Sequence, residues 1–328
     1  MARLLRTILV GLVLPVVASC AAVIGFDTDR ALRDAGTNGD ERDDVMAEGG
    51  TPDAEADAGG APSVDRRWSS WGISGASFPS NYADYGSDVT DAIFDTETGL
   101  GWPVAPAPDP VAWSDAPQVC VELRAGGFAD WRLPTRIEQL SIVQYGLYPT
   151  ASARFQTPSD AFWTASPYAD DTSSAWAVNF DMGTVQERPK FELHHVRCVR
   201  GGRNDTNGPS ERFSRGVGTV FDSVTNLMWQ ADTVSARTFL DARTYCSRLL
   251  INNKNGFRVP LMHELQTLVD ERRASPALTP LFGTTGGTEI WSMTNMNNDP
   301  STMLVMNFQD GRNELVAQSK TASVLCVQ

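Results

Sequence analysis

Phe94-Asp95-Thr96-Glu97-Thr98-Gly99-Leu100-Gly101-Trp102 is answered later in the chain by Phe221-Asp222-Ser223-Val224-Thr225-Asn226-Leu227-Met228-Trp229. The correspondence extends in both directions from this pair. Trp113-x-x-Ala116-x-x-x-Cys120-x-x-Leu123 matches Phe239-x-x-Ala242-x-x-x-Cys246-x-x-Leu249. Trp131-Arg132-Leu133-Pro134 matches Phe257-Arg258-Val259-Pro260, and Phe162-Trp163-Thr164 matches Ile290-Trp291-Ser292. Ala177-Val178-Asn179-Phe180-x-x-Gly183 matches Val305-Met306-Asn307-Phe308-x-x-Gly311, and Val196-Arg197-Cys198-Val199 matches Val324-Leu325-Cys326-Val327. The distance between partners stays between 126, as for Cys120 and Cys246, and 128, as for Cys198 and Cys326. A register held this closely over a whole domain means one folding unit written twice.

Within each unit the spacing changes from helical to extended. Trp113, Ala116, Cys120 and Leu123 recur at helical intervals, as do Phe239, Ala242, Cys246 and Leu249. A second helix starts after Pro134, where Thr135 and Glu138 have the form of a capping box. The second unit has Leu261 at the cap position, so its helix is expected to begin less sharply. Ala175 to Phe180 reads as a strand, Asp181 to Thr184 as a turn, and the segment ending in Cys198 as a last strand. Strand, helix, helix and then several strands make an α+β unit.

Five cysteines are present. Setting Cys20 aside leaves four, which permit three pairings. Only Cys120–Cys198 with Cys246–Cys326 respects the repeat. Each bond would close a loop of about 80 residues, a constraint on the order of 4–5 kcal/mol in the chain-entropy model.

The N-terminus predicts export. Arg3 and Arg6 precede an apolar run from Ile8 to Val17, too short to span a bilayer and of signal-peptide form. Val17-Ala18-Ser19-Cys20 resembles the lipobox of bacterial lipoproteins, which implies lipid on Cys20 and cleavage before it. Ala21 and Ala22 follow with no Asp in second place, a pattern that favours the outer membrane. The expected organisation is a signal peptide over 1–19, an acidic disordered tether over 20–67, repeat units at 68–201 and 218–328, and a linker at 202–217. The tether is rich in Asp, Glu, Ala and Gly and nearly free of large apolar residues, so it cannot offset chain entropy by burial.

Asp-x-x-Thr-Gly-Leu-x-Trp, Asp130-Trp131-Arg132-Leu133-Pro134-Thr135-Arg136, the Trp-Thr/Ser step and Val196-Arg197-Cys198-Val199-Arg200 together resemble the Lcl C-terminal domain family. The resemblance covers Asp91 to Arg200 and Gly218 to Gln328. It implies two tandem C-type-lectin-like domains, each with one long-range disulfide from first helix to last strand. It also implies a ligand class, since the family's named member, a bacterial adhesin, binds sulfated glycans. The Arg-Leu-Pro-Thr and Arg-Cys-Val-Arg steps further resemble the lectin-like fold of formylglycine-generating enzymes.

Charge bears on these implications. Residues 68–201 carry sixteen acids and eight bases, whereas 202–328 carry twelve of each. A polyanion needs a basic face, which only the second unit could assemble, from Arg237, Arg243, Arg248, Lys254, Arg272 and Arg273. The same acidity argues against nucleic acid. Candidate ligand-facing residues are Trp163, Trp176, Trp291, Asn179 and Asn307, although tryptophans at matching positions more often pack the core. Calcium is the one candidate cofactor, with Asp170, Asp171 and Asp181, and Asn179 among them, as its oxygen donors in the first unit and Asn297, Asn298, Asp299, Asn307 and Asp310 offered by the second. None of the three histidines, His194, His195 and His263, has metal-ligand spacing, and no nucleophile elbow or P-loop occurs. The expectation is a lipid-anchored, adhesin-like binding protein of the bacterial envelope without catalytic activity, periplasmic or surface-exposed, holding a glycan or an envelope ligand. The alternatives are an assembly lipoprotein holding a protein partner, and a formylglycine-type oxidase, which would need free thiols.

Overall fold

The stretch that reveals the repeat folds as a β-hairpin in both units. The computed structural model describes residues 82–96, 98–201, 212–296 and 299–328. The signal segment, Cys20, the tether and Asn297 and Asn298 lie outside the described residues. The first repeat begins with an antiparallel three-stranded sheet of β1 (Tyr82–Asp84), β2 (Ala92–Asp95) and β3 (Gly101–Pro103). Helices α1 (Ala116–Glu122) and α2 (Arg136–Leu140) follow. A second sheet of β4 (Ala161–Pro167), β5 (Ser174–Asn179) and β6 (Thr184–Pro189) completes it.

The second repeat has the same order: β7 (Phe213–Arg215), β8 (Thr219–Asp222), β9 (Leu227–Gln230) and β10 (Val234–Arg237), then α3 (Phe239–Arg248) and α4 (Met262–Gln266), then β11 (Glu289–Trp291), β12 (Thr302–Asn307), β13 (Arg312–Ala317) and β14 (Ala322–Val324). Strands β10 and β14 extend its second sheet to five strands in the order β10-β14-β11-β12-β13. The stretch 202–217 is not all linker. Phe213–Arg215 pairs with β8 as β1 pairs with β2, so it belongs to the second repeat.

Asp-x-x-Thr-Gly/Asn is the hairpin turn. Thr98 Oγ1 donates to Asp95 Oδ2 at 2.8 Å and Thr225 Oγ1 to Asp222 Oδ2 at 2.7 Å. The next residue takes a left-handed conformation, φ +71° at Gly99 and +59° at Asn226. Glycine adopts it freely and asparagine tolerates it, which explains the exchange between the repeats. The closing Trp102 and Trp229 are fully buried.

The central strands β5 and β12 are buried on both faces, and alternation divides their side chains between two cores. On β5, Trp176 and Val178 pack with Ile137 and Leu140, whereas Ala175 and Ala177 pack with Trp131, Trp163 and the disulfide. On β12, Leu304 and Met306 face the α4 side and Met303 and Val305 the disulfide side. Cys120–Cys198 and Cys246–Cys326 are bonded, with Cα atoms 5.5 and 5.6 Å apart. Each bond ties the first helix of a repeat to its closing segment. In the first repeat that segment pairs only through isolated bridges, such as Arg132 with Val199, rather than forming a strand.

The expectation of a blunter start for α4 is corrected. Thr135 caps α2 in a full capping box, and Leu261 has no side-chain acceptor. Yet α2 and α4 have equal length and begin at matching residues. Two other contacts fix the start in both. Glu138 and Glu264 reach back to the backbone N–H of Thr135 (2.8 Å) and Leu261 (2.6 Å). Ser166 Oγ and Thr294 Oγ1 accept the N–H of Arg136 and Met262. The same glutamates take two hydrogen bonds from Arg132 and Arg258, at 2.8 and 2.5 Å in each repeat. The Arg-x-Pro step is therefore a clamp on the second helix.

Candidate functional site

Both repeats belong to one compact unit. Val185 and Asn313 are matching positions of β6 and β13, and they meet. Asn313 Oδ1 accepts the Val185 N–H at 2.7 Å, and Asn313 Nδ2 donates to the Gly183 carbonyl at 3.2 Å. The matching strands β6 and β13 of the two repeats therefore meet at equivalent positions.

A buried polar seam surrounds this point. Arg136 is fully buried and donates to Gln266 Oε1 and to the Gly311 carbonyl, both of the other repeat. Its guanidinium stands 5.3 Å from the Trp176 ring centroid and 4.0 Å from the Glu271 carboxylate. Burial pushes Arg136 down to about 10, opposed by the Glu271 charge. Burial pushes Glu271 up to about 7, opposed by Arg136 and by the Ser166 hydroxyl. His263 donates from Nε2 to the Val143 carbonyl at 3.0 Å and packs edge-on against Tyr145. Burial lowers it to about 4, so the ring is neutral.

These two groups make opposite contributions to stability with pH. Glu271 is raised on folding, so its contribution is full below about 4.5 and is lost as pH rises through about 7. His263 is lowered, so its contribution is full above 6.5 and is lost as pH falls through about 4. They offset each other in the window between. Urea midpoints measured across it should fall on acidification in Glu271→Gln, where only the histidine remains. They should rise on acidification in His263→Gln. Parallel profiles for the two variants would contradict this assignment.

Beside the seam lies an open groove of about 240 Å³, lined by Tyr148, Asp181 and Met182 from the first repeat and Met296, Asp299, Thr302 and Leu315 from the second. Tyr148 and Met182 are exposed, at 67% and 40%. The Tyr148 hydroxyl lies 3.3 Å from Ser159 Oγ. Asp299 Oδ1 accepts the N–H and hydroxyl of Ser301 at 2.8 and 2.7 Å. These bonds hold its carboxyl below the usual range, so it is ionised at neutral pH.

The sequence candidates fall elsewhere, with the exception of Asp181 and Asp299. Trp163, Trp176 and Trp291 are 0–2% exposed. The N–H groups of Trp163 and Trp291 donate to the carbonyls of Val111 and Arg237. No ring face is left for a sugar, so packing explains their matching positions. Asn179 and Asn307 are turn residues whose Oδ1 accepts the N–H of Asp181 (2.7 Å) and Gln309 (2.9 Å). Asp170, Asp171 and Asp181 do not converge. Asp171 is taken up by Ser173 and Ser174 in the β4–β5 turn, and Asp181 lies in the β5–β6 turn. Among the described residues no three His, Cys, Asp or Glu side chains form a metal-holding group. His194 and His195 pack against Trp163 and Phe162 respectively, so they do not share a site.

The motif arginines are scaffold as well. Arg197 is fully buried among the carbonyls of Pro103, Val104 and Gln156 and the hydroxyl of Thr157, and burial lowers it to about 9. Arg200 grips Asp130 through two bonds of 2.8 and 3.1 Å. Sequence reasoning missed the groove because its residues come from separate turns. One signal was present: Asp171-x-Ser173-Ser174 is repeated as Asp299-x-Ser301-Thr302.

The Lcl C-terminal domain family model matches residues 91–200 and again 218–328. No curated protein matches the chain.

Proposed function

We propose, from the premise that the chain belongs to the Lcl C-terminal domain family and carries its domain twice, that it is an exported, lipid-anchored binding protein of the bacterial envelope. In this reading it is adhesin-like and non-catalytic, and the ligand sits in the groove between the repeats. The observation that carries it is the groove itself, which draws on both repeats and sets an exposed aromatic ring and methionine beside two carboxylates. Ligand sites favour such concave junctions, with apolar walls and a few placed polar groups. The seam supports the reading because a joint fixed by buried hydrogen bonds pre-organises the groove. Cys20 and the acidic segment after it would supply the anchor and the reach. The lectin-like fold implied by the family resemblance is part of the same proposal.

The test uses the full chain in detergent, offered to a glycan array and to envelope fractions, with hydroxyl-radical footprinting of whatever binds. Tyr148 and Met182 should lose reactivity in the complex while Phe191, exposed but outside the groove, keeps it. A tightly bound ligand that leaves Tyr148 and Met182 fully reactive would place the site elsewhere. Palmitate labelling should disappear in Cys20→Ala, and labelling that persists would remove the anchor from the proposal.

A further inference from the structure

We propose that the groove receives an arginine side chain presented by a partner protein, an inference that rests on the groove being the binding site. The molecule contains an internal precedent. On the other side of the Val185–Asn313 contact, residues that match those of the groove surround the chain's own Arg312. Its guanidinium pairs with both oxygens of Glu187, Nε to Oε2 at 2.5 Å, and lies 3.6 Å from Asp310. Tyr168 stands within electrostatic reach of all three.

The two clefts correspond residue by residue at a constant offset of 128: Asp171 with Asp299, Ser174 with Thr302, Thr184 with Arg312, and Glu187 with Leu315. The position that matches Arg312 is held by Thr184, which carries no cation. The open groove still carries two carboxylates, Asp181 and Asp299, and among the described residues no lysine or arginine lines it. Its walls suit the rest of an arginine. Met182, Met296 and Leu315 can cover the aliphatic stem. Tyr148 offers a ring face to the cation.

The choice of arginine follows from geometry and charge. A planar guanidinium can fork onto carboxylates, as Arg312 does on Glu187, whereas an ammonium is a point charge. Asp299 already accepts three hydrogen bonds, two from Ser301 and one of 3.4 Å from Thr302 Oγ1, but an ionised carboxylate has about four lone-pair sites. At about 240 Å³ the groove suits one long side chain, since pockets for drug-sized molecules measure roughly 300–1,000 Å³. The net charge of −13 would steer a basic partner toward the chain.

The experiment titrates the full chain, labelled with ¹³C at its methionine methyls, with the amide of Gly-Arg-Gly. The Met182 and Met296 resonances should shift saturably. A peptide with citrulline in place of arginine keeps the shape and loses the charge, and should bind weaker by about tenfold or more. Asp181→Asn/Asp299→Asn should weaken the arginine peptide by a similar factor. Thr184→Arg, which supplies the missing guanidinium from within, should block it; if that variant fails to fold, the double Asn variant decides. Equal binding of the citrulline peptide, or an unchanged double variant, would overturn the proposal. If another ligand shifts the same two resonances and the arginine peptide does not, the groove reading stands and the arginine inference falls. If nothing shifts them, both fall.

Discussion

Replacing Arg136 with methionine is expected to destabilise the protein by about 3 kcal/mol or more, although methionine is what the second repeat carries at the matching position. The two positions have similar neighbours within their own repeats and different ones across the seam. Met262 lies in the apolar core of the second repeat. Arg136 instead binds Gln266 and Gly311 and faces Glu271, all in the other repeat. Methionine would fill much of the space and would leave the Glu271 carboxylate without its cation. The penalty should depend on pH. Without Arg136 the pull holding Glu271 near 7 disappears, so its folded-state value rises further. The loss should therefore be larger at about pH 8 than at about pH 5, where the carboxyl can protonate. Arg136→Met/Glu271→Leu should recover most of the stability, because removing both charges of a buried pair costs far less than removing one. Denaturant unfolding of the three proteins at two pH values reads all of this. A single-variant penalty under about 1 kcal/mol, or one independent of pH, would show that the seam charge is not buried as described.

The second large effect concerns the staples. Cys246→Ser/Cys326→Ser should lower stability by about 4 kcal/mol, and the same change at Cys120 and Cys198 by a similar amount. The near-equality follows from the loops closed, 78 and 80 residues in sequence separation. All four sulfurs are buried beside aromatic residues of the core, including Trp131 and Trp163 in the first repeat and Phe257 and Trp291 in the second. Reduction should therefore require denaturant, and a thiol reagent applied to the folded, unreduced protein should leave these four cysteines unmodified. Modification of any of them would return the oxidase alternative to consideration.

How far the sequence reaches depends on whether a feature is local. The repeat, the pairing of the cysteines and the α+β order were legible because matching residues keep their register through hairpin, helix and strand. The Thr135–Glu138 capping box was legible for the same reason. The start of α4 was not, because Thr294 lies 32 residues from the Met262 N–H it accepts. Trp163, Trp176 and Trp291 show the limit of reading by residue type: an aromatic suited to stacking on a sugar is equally suited to a core, and only its neighbours decide. The seam was invisible. Arg136 belongs to the Trp-Arg-Leu-Pro-Thr-Arg motif, but nothing local says that its guanidinium crosses to Gly311. The groove was missed on the same grounds, since its lining residues come from four separate segments around 148, 181–182, 296–302 and 315.

The two repeats share a buried polar seam and should therefore unfold as one body. Calorimetric unfolding of the full, oxidised chain is the measurement that checks this. A seam built on Arg136, Glu271, His263 and Asn313 should couple the repeats into a single transition, with agreement between calorimetric and van't Hoff enthalpies. Two separated transitions, one for each repeat, would contradict it.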